Sequence, residues 1–391
     1  LTPPRAREME SGQPHPKPED RMSNPARASL SLLLVGIATF IMMGAGQSLY
    51  GPALPAFGRN LALSAAQAGW LVSAHWVGCA VGVAMMYRWG TRISPRHTVA
   101  LMAAGAAAIA AGLGVAATFA GALVFGTGYG LATVVFNPRI LRAFGARGTA
   151  MVSLVNASFG IGAIAAPLIF VWIGSQPTLA YGLVAGLALL IWLGAGPAGK
   201  AAPPPAPGST GPFRPMLSFQ LFAVAGIGIE ATLIGLGPSA LIGAGLPEAT
   251  AAQLLSGFFV AFLGARTLLI FTAHLVAPFL LYVGAMTAVA VMAALAAWVS
   301  PGLFFVAMGL PAGLFFPGFY VAASLRMGDD PRTAPTIIAA GLVGGITAPV
   351  VLAPLLGPLG GSGFFVVIAT VAALCAVLGL QLYLRLPELR R

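Results

Sequence analysis

The chain has 391 residues, 58% of them hydrophobic and only 7% charged, with a formal net charge of +11. An ordinary globular domain carries about 25% charged residues. This composition, with a mean hydropathy of +0.92, rules out a soluble domain and indicates an all-α polytopic membrane protein. The apolar runs are continuous, whereas a transmembrane barrel would show short alternating segments.

Residues 1–29 are polar, Pro-rich and charged, and are expected to form a disordered cytoplasmic tail. Six runs long enough to span a bilayer follow: Leu30–Tyr50, Ala66–Tyr87, Thr98–Phe119, Gly121–Leu141, Thr149–Ile173 and Leu179–Gly196. They define an N-terminal six-helix bundle over 30–196. A Pro-rich stretch at 197–215 suits a cytoplasmic linker. The C-terminal bundle, 216–385, reads Met216–Ile242, Ala249–Phe271, Leu275–Val299, Gly302–Leu325, Ala334–Leu356 and Phe364–Leu384, with a short tail at 386–391.

Of the 20 Lys and Arg, Arg59 falls in an outer loop and Arg266 inside a span, which leaves 18 on one side. That side is read as cytoplasmic, with both termini on it, in a plasma (inner) membrane. The basic excess is therefore a topology signal, and no nucleic-acid partner is expected. Cys79 and Cys375 both lie inside apolar runs and form no metal or redox motif.

The halves repeat. Gly126, Gly130 and Gly145 match Gly309, Gly313 and Gly328, each 183 positions later, and at the same offset residues 63–73 run against residues 246–256. In transporters built from such repeats the solute sits near the bilayer midplane and the halves rock around it.

With about twelve spans, a six-plus-six repeat, a Pro-rich central linker and a basic loop after span two, the chain resembles the major facilitator superfamily over essentially its whole membrane part. The loop, Tyr87-Arg-Trp-Gly-Thr-Arg92, is similar to a degraded form of that superfamily's motif between spans two and three. Arg88, Gly90 and Arg92 stand at its basic, Gly and basic positions, and Tyr87 replaces its acid. The resemblance implies a gating role for this loop, without the motif's charge relay; its arginines also suit anionic headgroups.

Three further stretches are similar to the fucose and glucose–galactose permeases: Gly130-Leu-Ala-Thr-Val-Val-Phe-Asn-Pro138, Val155–Pro167 and Gly228-Ile-Glu230. The acid of the fucose symporters' fourth span would fall at Thr133 and that of their first span near Gln47. Neither carboxylate is present, so those roles do not transfer.

Glu230 is the one acid inside any expected span, near the middle of the run Phe222–Pro238. A bare Glu in hydrocarbon costs a few kcal/mol, roughly, by insertion scales. It is expected to face a cavity and carry a proton across; the competing reading is a permanently neutral carboxyl bonded to a neighbouring helix. Arg266 lies in the inner third of span eight and is grouped with the gating residues, snorkelling to the interface being its plainer reading. Arg139 and Arg142 are expected to anchor the inner end of span four, with a substrate-carboxylate contact the rarer alternative for Arg139.

Gln47, His75, Tyr129, Asn137, Asn156 and Tyr320 are the expected substrate-binding residues. Amides and an imidazole in hydrocarbon need partners, and either solute groups or neighbouring helices can supply them. Tyr129, Tyr320 and the run Phe315-Phe316-Pro-Gly-Phe319 offer stacking surfaces. Gly105, Gly112, Gly114, Gly341, Gly344 and Gly345 are read as points of close helix packing.

No Walker loop, His/Cys cluster or paired acids occur, so neither ATP-driven transport nor enzyme chemistry is expected, and no cofactor. The expected function is proton-coupled import, by alternating access, of a small polar and sugar-like solute, carried out by a monomer in the lipid bilayer. The alternatives are a proton-antiport exporter of drugs or metabolites, and a non-transporting sensor or assembly protein on the same fold.

Overall fold

A computed structural model describes residues 18–89, 92–200, 216–328 and 332–386, almost entirely as helix. In hydrocarbon every backbone N–H and C=O has to be bonded internally, and a continuous helix does this within one segment. The described helices are α1 Pro18–Ser48, α2 Tyr50–Leu61, α3 Ala65–Trp89, α4 Pro95–Ala110, α5 Val115–Ala143, α6 Gly148–Trp172, α7 Pro177–Gly194, α8 Leu217–Gly243, α9 Glu248–Thr272, α10 Pro278–Trp298, α11 Pro301–Met327, α12 Thr333–Leu352 and α13 Leu356–Arg385. Helix α2 prolongs α1 beyond a break at Leu49, so α1 and α3 to α13 form twelve transmembrane helices. Among the described residues, ten stretches meet the length and hydropathy needed to cross a membrane. One of them, Thr333–Arg385, holds both α12 and α13. Helix α4, with 16 residues, is the shortest of these twelve.

The helices form two six-helix halves, and the glycine repeat has a packing cause. An added Cβ on Gly126 of α5 would land on the His75 carbonyl of α3; one on Gly309 of α11 would land on the Phe258 carbonyl of α9. Gly130 meets the Cys79 carbonyl in the same way, and Gly313 the Phe262 carbonyl. His75 to Phe258 and Cys79 to Phe262 are again steps of 183. Gly145 and Gly328 stand just past the ends of α5 and α11 with φ of +49° and +86°, a region that favours glycine. One pair of helices, in close backbone contact, is thus used twice.

Several element bounds differ from the sequence reading. The tail expected to be disordered through residue 29 is helical from Pro18, with Pro18 in the first turn, where proline is tolerated, and Pro25 inside the helix. Residues 1–17, most of the linker at 201–215, and the tail at 387–391 lie outside the described residues.

Span three does not reach Phe119. Helix α4 ends at Ala110, and the chain turns through Gly112 and Gly114, with φ of +64° and +96°, before α5 starts at Val115. These two glycines are turn residues, whereas Gly105 does pack closely, on α5. Gly344 abuts the Val224 carbonyl of α8, and Gly345 lies on Trp76. Helix α13 begins at Leu356, earlier than expected, with a kink at Gly360 (φ +65°).

The halves meet most tightly at the face away from the basic loops. Gly51 abuts the Ile234 carbonyl and Pro238, Gly69 abuts Pro349 and Ala353, and Val72 fills the space beside Gly235. Ser73 Oγ donates to the Ile346 carbonyl at 2.7 Å. Arg59 is not in a loop: it closes α2 and forms an ion pair with Glu248 at the start of α9, its Nη2 donating to Glu248 Oε2 at 3.1 Å.

Candidate functional site: a cavity between the halves

Between the halves lies a cavity of about 340 Å³, at the small end of the roughly 300–1,000 Å³ usual for small-molecule sites. Helices α1, α3, α5 and α6 line it from one half and α8, α9, α11 and α12 from the other; α4, α7, α10 and α13 contribute nothing. The lining runs to Asn137, Asn156 and Ile337 near the basic face, where Asn156 is exposed. The opposite end is closed by the contacts described above.

Glu230 stands thirteen residues from either end of α8, at mid-depth, and lines the cavity. Its Oε2 is buried and makes no hydrogen bond among the described residues. No neighbouring helix bonds that oxygen among the described residues.

Arg266 lines the same cavity. It sits six residues before the end of α9, so its backbone lies about 10 Å nearer the basic face than that of Glu230, at 1.5 Å rise per residue. Its side chain does not run out to the interface. Nε donates to the Gly313 carbonyl of α11 at 3.2 Å, and the guanidinium carbon lies 4.4 Å from the Phe262 ring centroid. Snorkelling and a place in the loop gate are both corrected: a carbonyl left accessible by a glycine helix contact, with an aromatic face beside it, holds the cation inside the protein. No ion pair joins Arg266 to Glu230.

Two hydrogen-bonded pairs complete the polar lining. Tyr129 Oη donates to Gln47 Oε1 at 2.7 Å, tying α5 to α1. Asn156 Nδ2 donates to Asn137 Oδ1 at 3.1 Å and to the Val152 carbonyl at 2.8 Å. All four side chains line the cavity, so helix bonding and cavity lining are the same arrangement here and not alternatives. Thr133, at the position of the missing acid, also lines it, with its Oγ1 bonded back to the Gly130 carbonyl at 2.7 Å.

The match that decides the family covers residues 36–342, which fit the profile of the Major Facilitator Superfamily. The chain belongs to that superfamily. As a superfamily member it is a membrane transporter and not an enzyme. Its fold is similar to a crystal structure of a D-xylose–proton symporter, with a TM-score of 0.71 at 15% identity over 90% of this chain and 97% of that one. It is also similar to the nucleoside transporter NupG (TM-score 0.66, 16% identity, 91% and 99% covered). The E. coli fucose–proton symporter FucP is a further likeness (TM-score 0.62, 15% identity, 89% and 97% covered). At such identities the likeness is one of fold alone. No curated protein matches the sequence.

Two expected binding residues of this superfamily member stand apart from the cavity. His75 is 1% exposed, with Tyr129 5.0 Å and Tyr50 5.3 Å away between ring centroids, and its Nε2 faces Cys79 Sγ at 3.7 Å. It touches only a narrow crevice behind the main cavity. Tyr320 is likewise turned aside, stacked on Phe316 at 5.0 Å, and it is Phe316 that reaches the cavity. On a helix, neighbours four apart share a face but only one of them can be foremost, and packing chooses which.

Arg88 and Arg92 are exposed at the basic face; Gly90 lies outside the described residues. Arg139 is 5% exposed and its Nη2 donates to the Ile93 carbonyl at 2.8 Å, so it braces the loop before α4 and does not line the cavity. Trp76, Phe159, Phe259 and Phe262, not among the expected binding residues, also line the cavity. Aromatic residues in uniformly apolar helices carry no mark of facing a cavity rather than lipid.

Proposed function

We propose that this transporter couples the movement of a small organic solute to protons, with Glu230 as the proton carrier. The observation that carries the reading is one carboxyl at the middle of α8, lining a cavity shared by both halves, with an oxygen that no group among the described residues satisfies. A group so placed meets water from whichever side the cavity opens to, and rocking of the halves exchanges those sides. The resemblance to sugar permeases, and neighbours named as xylose–proton and fucose–proton symporters, support uptake of a polar solute by proton symport. The basic loops are read as cytoplasmic in the plasma membrane, with the protein acting as a monomer.

The test is transport in proteoliposomes under an imposed pH gradient. Glu230→Gln is expected to abolish proton-driven accumulation while leaving counterflow exchange of solute. Accumulation that persists in the variant would remove Glu230 from the coupling, and expulsion of solute as protons enter would make the protein an antiporter.

A further inference from the structure

We infer that the solute is an organic anion: a monocarboxylate with an apolar, ring-sized body, whose carboxylate is held by Arg266. The inference rests on the reading of this cavity as the transport site and names what that site takes.

Arg266 is held by one edge. Nε is used on the Gly313 carbonyl and the plane lies on Phe262, while both Nη groups make no hydrogen bond to the protein and are not sealed in. A guanidinium anchored in this way presents the fork that binds a carboxylate through two parallel hydrogen bonds. The remaining wall suits an apolar body. Trp76, Phe159, Phe262 and Phe316 are among the aromatic residues of the lining. Of the amides, Gln47 Oε1 accepts from Tyr129 and Asn137 Oδ1 from Asn156, while the Gln47 and Asn137 NH2 groups make no hydrogen bond to the protein among the described residues.

Charge counting leads to the same class. Among the described lining residues the charged groups are Glu230 and Arg266; the other titratable ones are Tyr129, whose hydroxyl is used on Gln47, and Cys79. An empty cavity with Glu230 ionised and Arg266 cationic has no net charge. Adding one proton, to Glu230, and one carboxylate, to Arg266, keeps it at zero. Either one alone leaves an unbalanced charge at mid-membrane, which is expensive to carry across. Proton and anion therefore move together, and the cycle transfers no net charge. A neutral solute carried with a proton would move one charge per cycle.

Titration calorimetry on the purified full chain, with benzoate, phenylacetate and phenylpropionate each set against its own primary amide, tests the class. At least one acid is expected to bind about tenfold or more tightly than its amide, the usual scale for losing hydrogen bonds to a charged group. Arg266→Gln should erase that preference and Glu230→Gln should keep it. Arg266→Lys, which keeps the charge without the fork, guards against a misfolded Gln variant and should retain a reduced preference.

Equal binding of every acid and its amide, tighter binding of D-xylose than of any acid, or no binding by any pair overturns the inference. So does proteoliposome uptake of the acid, corrected for protein-free liposomes, that changes severalfold under an imposed membrane potential. Acid-selective binding without proton-driven uptake removes the coupling reading and leaves this one standing. Proton-driven uptake of a neutral solute alone does the reverse.

Discussion

Arg59 and Glu248, 189 positions apart, join the two halves at the face opposite the basic loops, one at the end of α2 and the other at the start of α9. The pair closes the end of the cavity that the packed glycines and Ser73 also seal. Reopening that end requires the pair to separate. Both side chains are well exposed, 60% and 38%, so the bond is worth roughly 0.2–1 kcal/mol and is screened by salt. Arg59→Ala is expected to shift the balance of outward-open to inward-open forms by about 1.4- to fivefold, read by spin-label distances across the outer face, with high salt mimicking the variant. The Glu248 bond, and then its charge, raises the Arg59 pKa above the ordinary arginine value. The arginine's contribution is therefore present throughout the range below that ordinary value and is lost only above it. The latch should respond to salt and not to arginine titration near neutrality; a distance distribution unmoved by both substitution and salt would remove it from gating.

Glu230→Asp keeps the charge but withdraws it by one methylene. Proton-driven accumulation is expected to survive at a reduced rate, whereas Glu230→Gln abolishes it. Equal loss in both variants would point to a positional role without proton transfer.

Gly162 of α6 lies where an added Cβ would meet the Ile41 carbonyl of α1, while Gly186 of α7 has open space around it. Gly162→Ala is expected to destabilise by about 1–3 kcal/mol, since backbone and not a flexible side chain has to move. Gly186→Ala gains helix propensity of roughly 0.8–1 kcal/mol and should raise the melting temperature slightly. Thermal unfolding of the two variants in one detergent checks the contrast.

His75 stands 183 positions before Phe258 in the repeat, and both are fully buried against their neighbours. His75→Phe conserves a ring of similar bulk. It is expected to cost under about 1.5 kcal/mol and to leave the pH profile of uptake unchanged. A displaced profile would return the imidazole to the proton path.

Tyr129→Phe removes the donor to Gln47 Oε1. Losing one such hydrogen bond costs about 0.5–1.5 kcal/mol. Solute affinity is expected to fall a few-fold, because Gln47 is then free to turn in the cavity, and calorimetry with the same ligands reads it.

The sequence by itself settled the helical membrane class, the twelve spans, the repeat at 183 and the prominence of Glu230. Each follows from a constraint that acts along the chain: backbone bonding in lipid, helix length against bilayer thickness, and the cost of a carboxyl in hydrocarbon. Only the tertiary structure decided that Arg266 turns inward to share a cavity with Glu230, that Arg59 meets Glu248, and that His75 and Tyr320 stand behind the wall. Helices apolar on every side give no periodic signal of which face meets lipid and which meets the partner half. That choice is made by close backbone contacts at glycines such as Gly126, Gly162 and Gly313, which fix each helix's rotation and with it the direction of every side chain the helix carries.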